Sequence, residues 1–316
     1  MKRTTVYLCV TLVLLITTWS GAKAQTCKLS GSITISGAFA LYPMAVKWVD
    51  EFKKINTNVK IDISPGGSGK GMTDILSKSV NIGMISRDVI PAETSKGVYT
   101  IAVTRDAVVL IVSGSNPQLN DVLAHGIKKS AANDVFITGK YNTWGQATGI
   151  KSNSPLRIYS RSDASGDSEM WAKYLGKQQQ DLLGVGVFGA PGLAQAVKKD
   201  PLAIGYCCIG YAYDPKTKQA NPGIKILPID LNNNGKIDPD ENFCDNLNNL
   251  LNAISSGKYP TPLSRDLYFI TNGKPTNPIV QEFLKFVLTD GQKYVTDAGY
   301  VGFAKSKLDA ELLKVK

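Results

Sequence analysis

Apolar and polar positions alternate over several short stretches of the chain, and each such stretch predicts a strand. Ile33 and Ile35 flank Thr34, and Val59, Ile61 and Ile63 alternate with Lys60 and Asp62. Leu156–Tyr159, Gly184–Val187, Ile204–Tyr211 and Arg265–Ile270 predict four more strands. Asn81–Ile85 reads as a buried strand. Val98 to Val112 is strand-like, interrupted by Arg105-Asp106, a charged pair that suits a crossing between domains. Helical spacing fills the intervals. Ala45, Trp48, Val49, Phe52 and Ile55 share one helix face, and Pro43 sits where a first turn tolerates it. Further helices are predicted over Met72–Lys78, from near Ser168, and over Gly189–Lys199, Asn277–Leu288 and Gly291–Ala298. Asn116 to Gly149 reads as helices and loops. Strands alternating with helices define the α/β class.

Four of the strands end in small polar corners. Leu156–Tyr159 leads into Arg161, Asp163, Ser165, Gly166 and Asp167. Ile33–Ile35 leads into Ser36–Ala40, the Val59–Ile63 strand into Pro65–Gly71, and Asn81–Ile85 into Ser86, Arg87 and Asp88. A helix start leaves backbone N–H groups without internal partners, and its dipole favours an anion. Arg161 adds a two-pronged donor. Any one corner is equally well explained as a capped or flexible loop. Four corners at the carboxyl ends of strands favour one shared anion site. The Gly-rich segment is not a nucleotide P-loop. Ser64 stands where that pattern needs its first Gly, and Gly71 follows Lys70 in place of Ser or Thr.

The chain begins with a charged Lys2-Arg3, an apolar Val6–Thr18 and a small-residue Ala22-Lys23-Ala24, the layout of an export leader cleaved after Ala24. The product is expected in the periplasm or outside the cell. The full chain has 36 Lys+Arg and 26 Asp+Glu; the leader removes three basic residues, leaving 33 against 26, or +7. Dispersed basic residues without interleaved aromatics argue against nucleic acid. Cys27, Cys207, Cys208 and Cys244 remain after the leader and allow three pairings. Neighbours on a strand point to opposite faces, which disfavours Cys207–Cys208. A bond from one of that pair to Cys244 is the expectation in an oxidising compartment. No Cys/His cluster suits zinc. His125 is the only histidine, and a surface or helix-end place suits it better than catalysis.

Asp230 to Glu241, DLNNNGKIDPDE, matches the twelve-residue calcium-loop pattern at every constrained position. Asp230, Asn232, Asn234, Asp238 and Glu241 would supply side-chain oxygens and Lys236 its carbonyl, with Gly235 making the sharp turn. A structural calcium is expected there.

SGAFALYP, GGSGKG, IGMISR, YSRSDASGD and EFLKFVLTDGQKYVTDAGYVGF together carry a resemblance. The chain resembles the phosphate-binding proteins that feed ABC phosphate importers, within the class II periplasmic-binding-protein fold. The resemblance implies two α/β domains joined by two crossover strands with the ligand cleft between them. Residues 1–24 would be the leader, 25–103 with 271–316 domain I, and 104–270 domain II. It implies phosphate held by backbone N–H groups at Ala40 and Leu41, by Ser68, by Ser86 and Arg87, by Arg161 and by Ser165, Gly166 and Asp167. Asp163 would hold the Arg161 guanidinium. It also implies a monomer that docks on a membrane permease and makes or breaks no bond.

Three positions depart from the family pattern. Ala40 lacks a hydroxyl, Arg87 stands where classical members carry Asp, and Asp167 stands where a Thr is common. An ionised Asp167 accepts a hydrogen bond from protonated phosphate and repels sulfate, which has no proton to give. Arg87 and Arg161 would keep the site positive. The competing readings are a binding protein for another oxyanion (molybdate, tungstate or sulfate), a secreted phosphatase, and a calcium-dependent surface protein.

Overall fold

The computed structural model describes residues 29–316. The leader, its cleavage site and Cys27 lie outside the described residues. The strands are β1 (Gly31–Gly37), β2 (Val59–Pro65), β3 (Ile82–Ile85), β4 (Val98–Ser113), β5 (Ile127–Lys128), β6 (Arg157–Arg161), β7 (Val185–Val187), β8 (Ala203–Cys208), β9 (Ile224–Leu227), β10 (Ile229–Asp230) and β11 (Ser264–Asn272).

β4 spans 16 residues and is buried along nearly all of its length, which explains its almost unbroken apolar run. Its first part, Val98–Ala107, pairs antiparallel with β11. Its last part pairs with β8 over Val108–Val112, and Leu110–Ser113 also pairs with β9. The sheet order is β2-β1-β3-β11-β4-β8-β6-β7, with β9 branching from β4. β5 and β10 form a separate two-stranded ladder.

Two hydrophobic cores lie at the two ends of this sheet. One packs Trp48, Phe52, Phe269 and Phe283 beneath β1–β3. The other packs Phe136, Trp144, Trp171 and Tyr206 around the far part of β4. Edge-to-face rings fill both, at 5.4 Å for Phe52–Phe283 and 5.2 Å for Phe136–Trp171. β4 and β11 are the two crossover strands between these lobes. The Arg105-Asp106 pair does not break β4. Arg105 lies opposite Asp266 and Asp106 opposite Arg265, so two charges on each crossover strand meet opposite charges on the other.

Several boundaries differ from the periodicity. The helix expected over Met72–Lys78 runs over Ser68–Leu76, so the Gly-rich segment is its first turn. Here Gly serves close approach: a Cβ on Gly71 would overlap the Met84 carbonyl oxygen. The helix expected from near Ser168 begins at Gly166. The Gly291–Ala298 stretch is a single 3₁₀ turn over Asp290–Tyr294, and a terminal helix over Lys305–Val315 has no counterpart in the pattern reading. Among the described residues no helix is long and apolar enough to cross a membrane.

The expected disulfide to Cys244 is not formed. Cys207, Cys208 and Cys244 are free and buried. Cys207 and Cys244 pack in the second core and Cys208 in the first, where thiols behave as small apolar groups. Burial raises all three thiol pKa values, so the reactive thiolate is suppressed. Alkylation in denaturant without reductant should therefore modify Cys207, Cys208 and Cys244 alike; a peptide retaining a Cys207–Cys244 or Cys208–Cys244 bond would contradict this.

Candidate functional site

The four corners meet between the two lobes. Ser68 opens its helix with Gly67 as cap, and Ser86 follows β3 directly. The Ser68 hydroxyl lies 3.1 Å from that of Ser86 and accepts from the Ser86 backbone N–H at 3.0 Å. From the second lobe, Ser165 caps the helix Gly166–Tyr174, its hydroxyl accepting from the backbone of Asp167 and Ser168. A Cβ on Gly166 would overlap the Ser86 hydroxyl, and one on Gly67 would lie 2.5 Å from an Asp163 carboxylate oxygen. Only glycine allows these backbones to approach. The Gly69 N–H donates to the Ala164 carbonyl at 3.0 Å, joining the lobes directly.

Arg161 ends β6 and is only 6% exposed. Its Nε donates to Asp163 Oδ1 at 2.7 Å, Nη2 to Asp163 Oδ2, and Nη1 to Asp167 Oδ2 at 3.1 Å. The guanidinium lies 5.2 Å from the Phe39 ring centroid, so the first corner covers it. The Gly189 N–H also donates to Asp163 Oδ1, which fixes the carboxylate that fixes the arginine. Behind them Tyr206 accepts from the Arg161 backbone N–H and donates to the Ser168 hydroxyl. At the first corner the Leu41 N–H turns back to Ala38, and the Ala40 carbonyl accepts from Tyr300. Ala40 is buried beside the Phe39 that covers Arg161.

Arg87 does not join this group. Its Nη1 and Nη2 donate to the two Glu93 oxygens at 2.8 and 2.6 Å, and its Nε lies 3.1 Å from Glu169. The positive charge expected from it is spent on these two carboxylates, because Glu93 caps the short turn that follows β3. Arg87–Glu169 instead ties the first lobe to the second.

The pattern reading missed Arg265. It is 6% exposed on β11; its Nη2 donates to Asp167 Oδ1 and, at 3.3 Å, to Asp106 Oδ2. Its cross-strand register with Asp106 was the available signal, but register is not visible in one strand's sequence. Burial alone would raise the Asp167 pKa, yet Arg265 and Arg161 outweigh it and hold the carboxyl below its usual range. Asp106 lacks the second arginine. Burial raises it to about 7, with Arg265 opposing and Asp167 adding to the shift.

The chain belongs to the PBP superfamily: its family domain matches residues 22–291. Among curated relatives, it is 27% identical over 285 residues to the phosphate-binding protein PstS of Bacillus subtilis, covering 89% of this chain and 84% of that one. A second, PstS of Pseudomonas aeruginosa PAO1, is 27% identical over 301 residues, covering 86% of this chain and 83% of the other. Among solved structures it superposes at TM-score 0.70 and 22% identity on a Clostridium perfringens chain assigned as a phosphate ABC transporter substrate-binding protein, solved with bound phosphate. That match covers 87% of this chain and all of the other. At that identity the likeness establishes the fold, a mixed α/β two-lobed binding-protein fold.

Two predictions follow from the buried charges. Arg265→Met leaves buried Asp106 without a cation and removes one of the two that hold Asp167, and should cost about 3–5 kcal/mol in chemical denaturation, whereas Lys305→Ala on the surface should cost about 0.5 kcal/mol or less. Asp106 binds its proton more tightly folded than unfolded, so its contribution to stability is present below about pH 4 and is lost as pH rises through about 7. Asp106→Asn should flatten that part of the stability–pH curve; an unchanged slope would rule Asp106 out as its source.

Proposed function

We propose that this protein is an exported receptor that captures inorganic phosphate between its lobes and delivers it to an ABC importer. One observation carries the reading: the Gly67–Gly69 corner and Ser86 of one lobe pack directly on Asp163, Ala164 and Gly166 of the other, and Asp163 holds the Arg161 guanidinium. Backbone N–H groups at Ala40, Ser68 and Gly166, the serine hydroxyls and the free edge of the Arg161 guanidinium are the donors that replace water around a tetrahedral anion. The relatives named above are phosphate-binding proteins, and the chain shares most of its length with them.

These groups are almost fully buried, at 1% exposure for Ser68, 2% for Ser86 and 4% for Ser165. An anion therefore reaches them only when the lobes separate about β4 and β11, and binding closes them again. Asp167 supplies discrimination. Each of its oxygens accepts from one arginine and keeps a lone pair, so it accepts a hydrogen bond from the O–H of monohydrogen phosphate and opposes sulfate. A phosphatase needs a base beside a nucleophile. His125 ends a helix of the second lobe and is bonded to the Asp121 carbonyl at 2.8 Å. The protein works as a monomer, and the closed form docks on a permease.

Calorimetric titration with phosphate, sulfate and molybdate tests the reading. Phosphate should bind with one site per chain, and Arg161→Met should weaken it by about 100-fold or more, roughly the worth of one buried charged pair. Sulfate or molybdate binding as tightly as phosphate would replace phosphate with another oxyanion. Release of product from an aryl phosphate would restore the enzyme reading.

A further inference from the structure

Six buried acidic residues appear among the described residues: Asp106, Asp167, Asp200, Asp230, Glu241 and Glu311. Four have a cationic partner. Asp106 and Asp167 share Arg265, Asp200 meets Arg157, and Glu311 meets Lys314. Asp230 and Glu241, at 1% and 6% exposure, have none within ion-pair distance. Asp230 accepts from the Asn234 and Gly235 N–H groups and Glu241 from those of Leu231, Asn232 and Asp238, so the loop's own backbone solvates them, yet no cation balances their two charges. These two face one loop, positions 1 and 12 of the twelve-residue pattern that the anion site leaves unexplained.

The rest of the pattern lies between them. The Asn234 N–H is shared by Asp230 Oδ1 at 3.2 Å and Asn232 Oδ1 at 3.0 Å, so two oxygens are drawn to one point. The side-chain amides of Asn232 and Asn234 both donate to Asp238 Oδ2, at 2.9 and 2.6 Å, so positions 3, 5 and 9 also converge. Gly235 turns at φ 86° and Asn233 at φ 63°, which lets the chain wrap. Among the described residues no trio of His, Cys, Asp or Glu side chains is gathered as a metal site. The donors here are carboxylate, amide and carbonyl oxygens, hard ligands that suit calcium and not a transition metal.

We propose that Asp230–Glu241 binds one calcium ion through Asp230, Asn232, Asn234, Asp238, Glu241 and the Lys236 carbonyl. The loop is not a helix–loop–helix sensor, because it leaves the strand β10 and leads to no helix before Leu247. Its Ile237 N–H donates to the Ala124 carbonyl, and the Ile237 side chain packs on Gly126. β10 pairs with β5 through Asp230 and Lys128. The ion thus pins the helix Leu119–His125 and β5 to the second lobe, away from the anion corners. Its effect is on the stability of that lobe and not on anion affinity.

The test uses full-length secreted protein stripped with EDTA and dialysed, then titrated with calcium chloride by calorimetry and followed by thermal melting. One calcium per chain should bind, raising the melting temperature by about 3–6 °C at roughly ten times the dissociation constant. Magnesium should bind more weakly. Glu241→Gln should abolish the shift. Asn234→Ala, at an exposed position that cannot upset the fold, should weaken calcium about tenfold. Phosphate affinity should be the same with and without calcium. No calcium heat and no melting shift would overturn the proposal, as would binding that survives both substitutions. Calcium binding without phosphate binding would leave it standing and remove the anion reading instead.

Discussion

A chain of five ionisable side chains, four of them buried, ties the second lobe to the crossover strands. It runs from Asp163 through Arg161, Asp167 and Arg265 to Asp106, with each link a direct hydrogen bond. One end lies in the corner after β6, and the other lies on the crossover strands β4 and β11. Desolvating charges is expensive, and the arrangement persists because each carboxyl lies against a guanidinium. The corner after β6 is thereby tied to the crossover strands themselves. Its principal guanidinium is held edge-on by Asp163, which leaves the remaining donors fixed in direction and not free to search.

This explains how the Asp167 carboxyl stays ionised although it is buried. Two arginines stabilise it, and neither is Arg87. Arg87 is spent at the rim on Glu93 and Glu169, where it bridges the lobes. The positive charge beside Ser165 and Gly166 therefore comes from Arg161, set between the carboxylates of Asp163 and Asp167.

Much of this was legible in the chain. Alternation located β1 and β2, and apolar runs located β3 and β4, because strands in an α/β sheet are selected for burial with period two or none. The small residues of the corners marked their polar ends, because close backbone approach tolerates little else. Helix starts were read too late at Ser68 and Gly166. Glycine and serine there signal flexibility in isolation, whereas in the fold they permit contact with Met84 and Ser86. Arg265 was invisible as a site residue because its role depends on lying opposite Asp106 across two strands 159 residues apart in sequence. The cysteine reading failed for a related reason. Spacing says nothing about which core each thiol enters, and β8 sends Cys207 and Cys208 into different ones.

The double allegiance of β4 has a consequence for how the molecule comes apart. Its first part completes the sheet over one core and its last part the sheet over the other, with no linker between. If either lobe melts, it strips a central ladder from its neighbour. The lobes can swing as separate bodies, yet they should lose their structure in one cooperative step, with folding of each lobe waiting on a strand it shares.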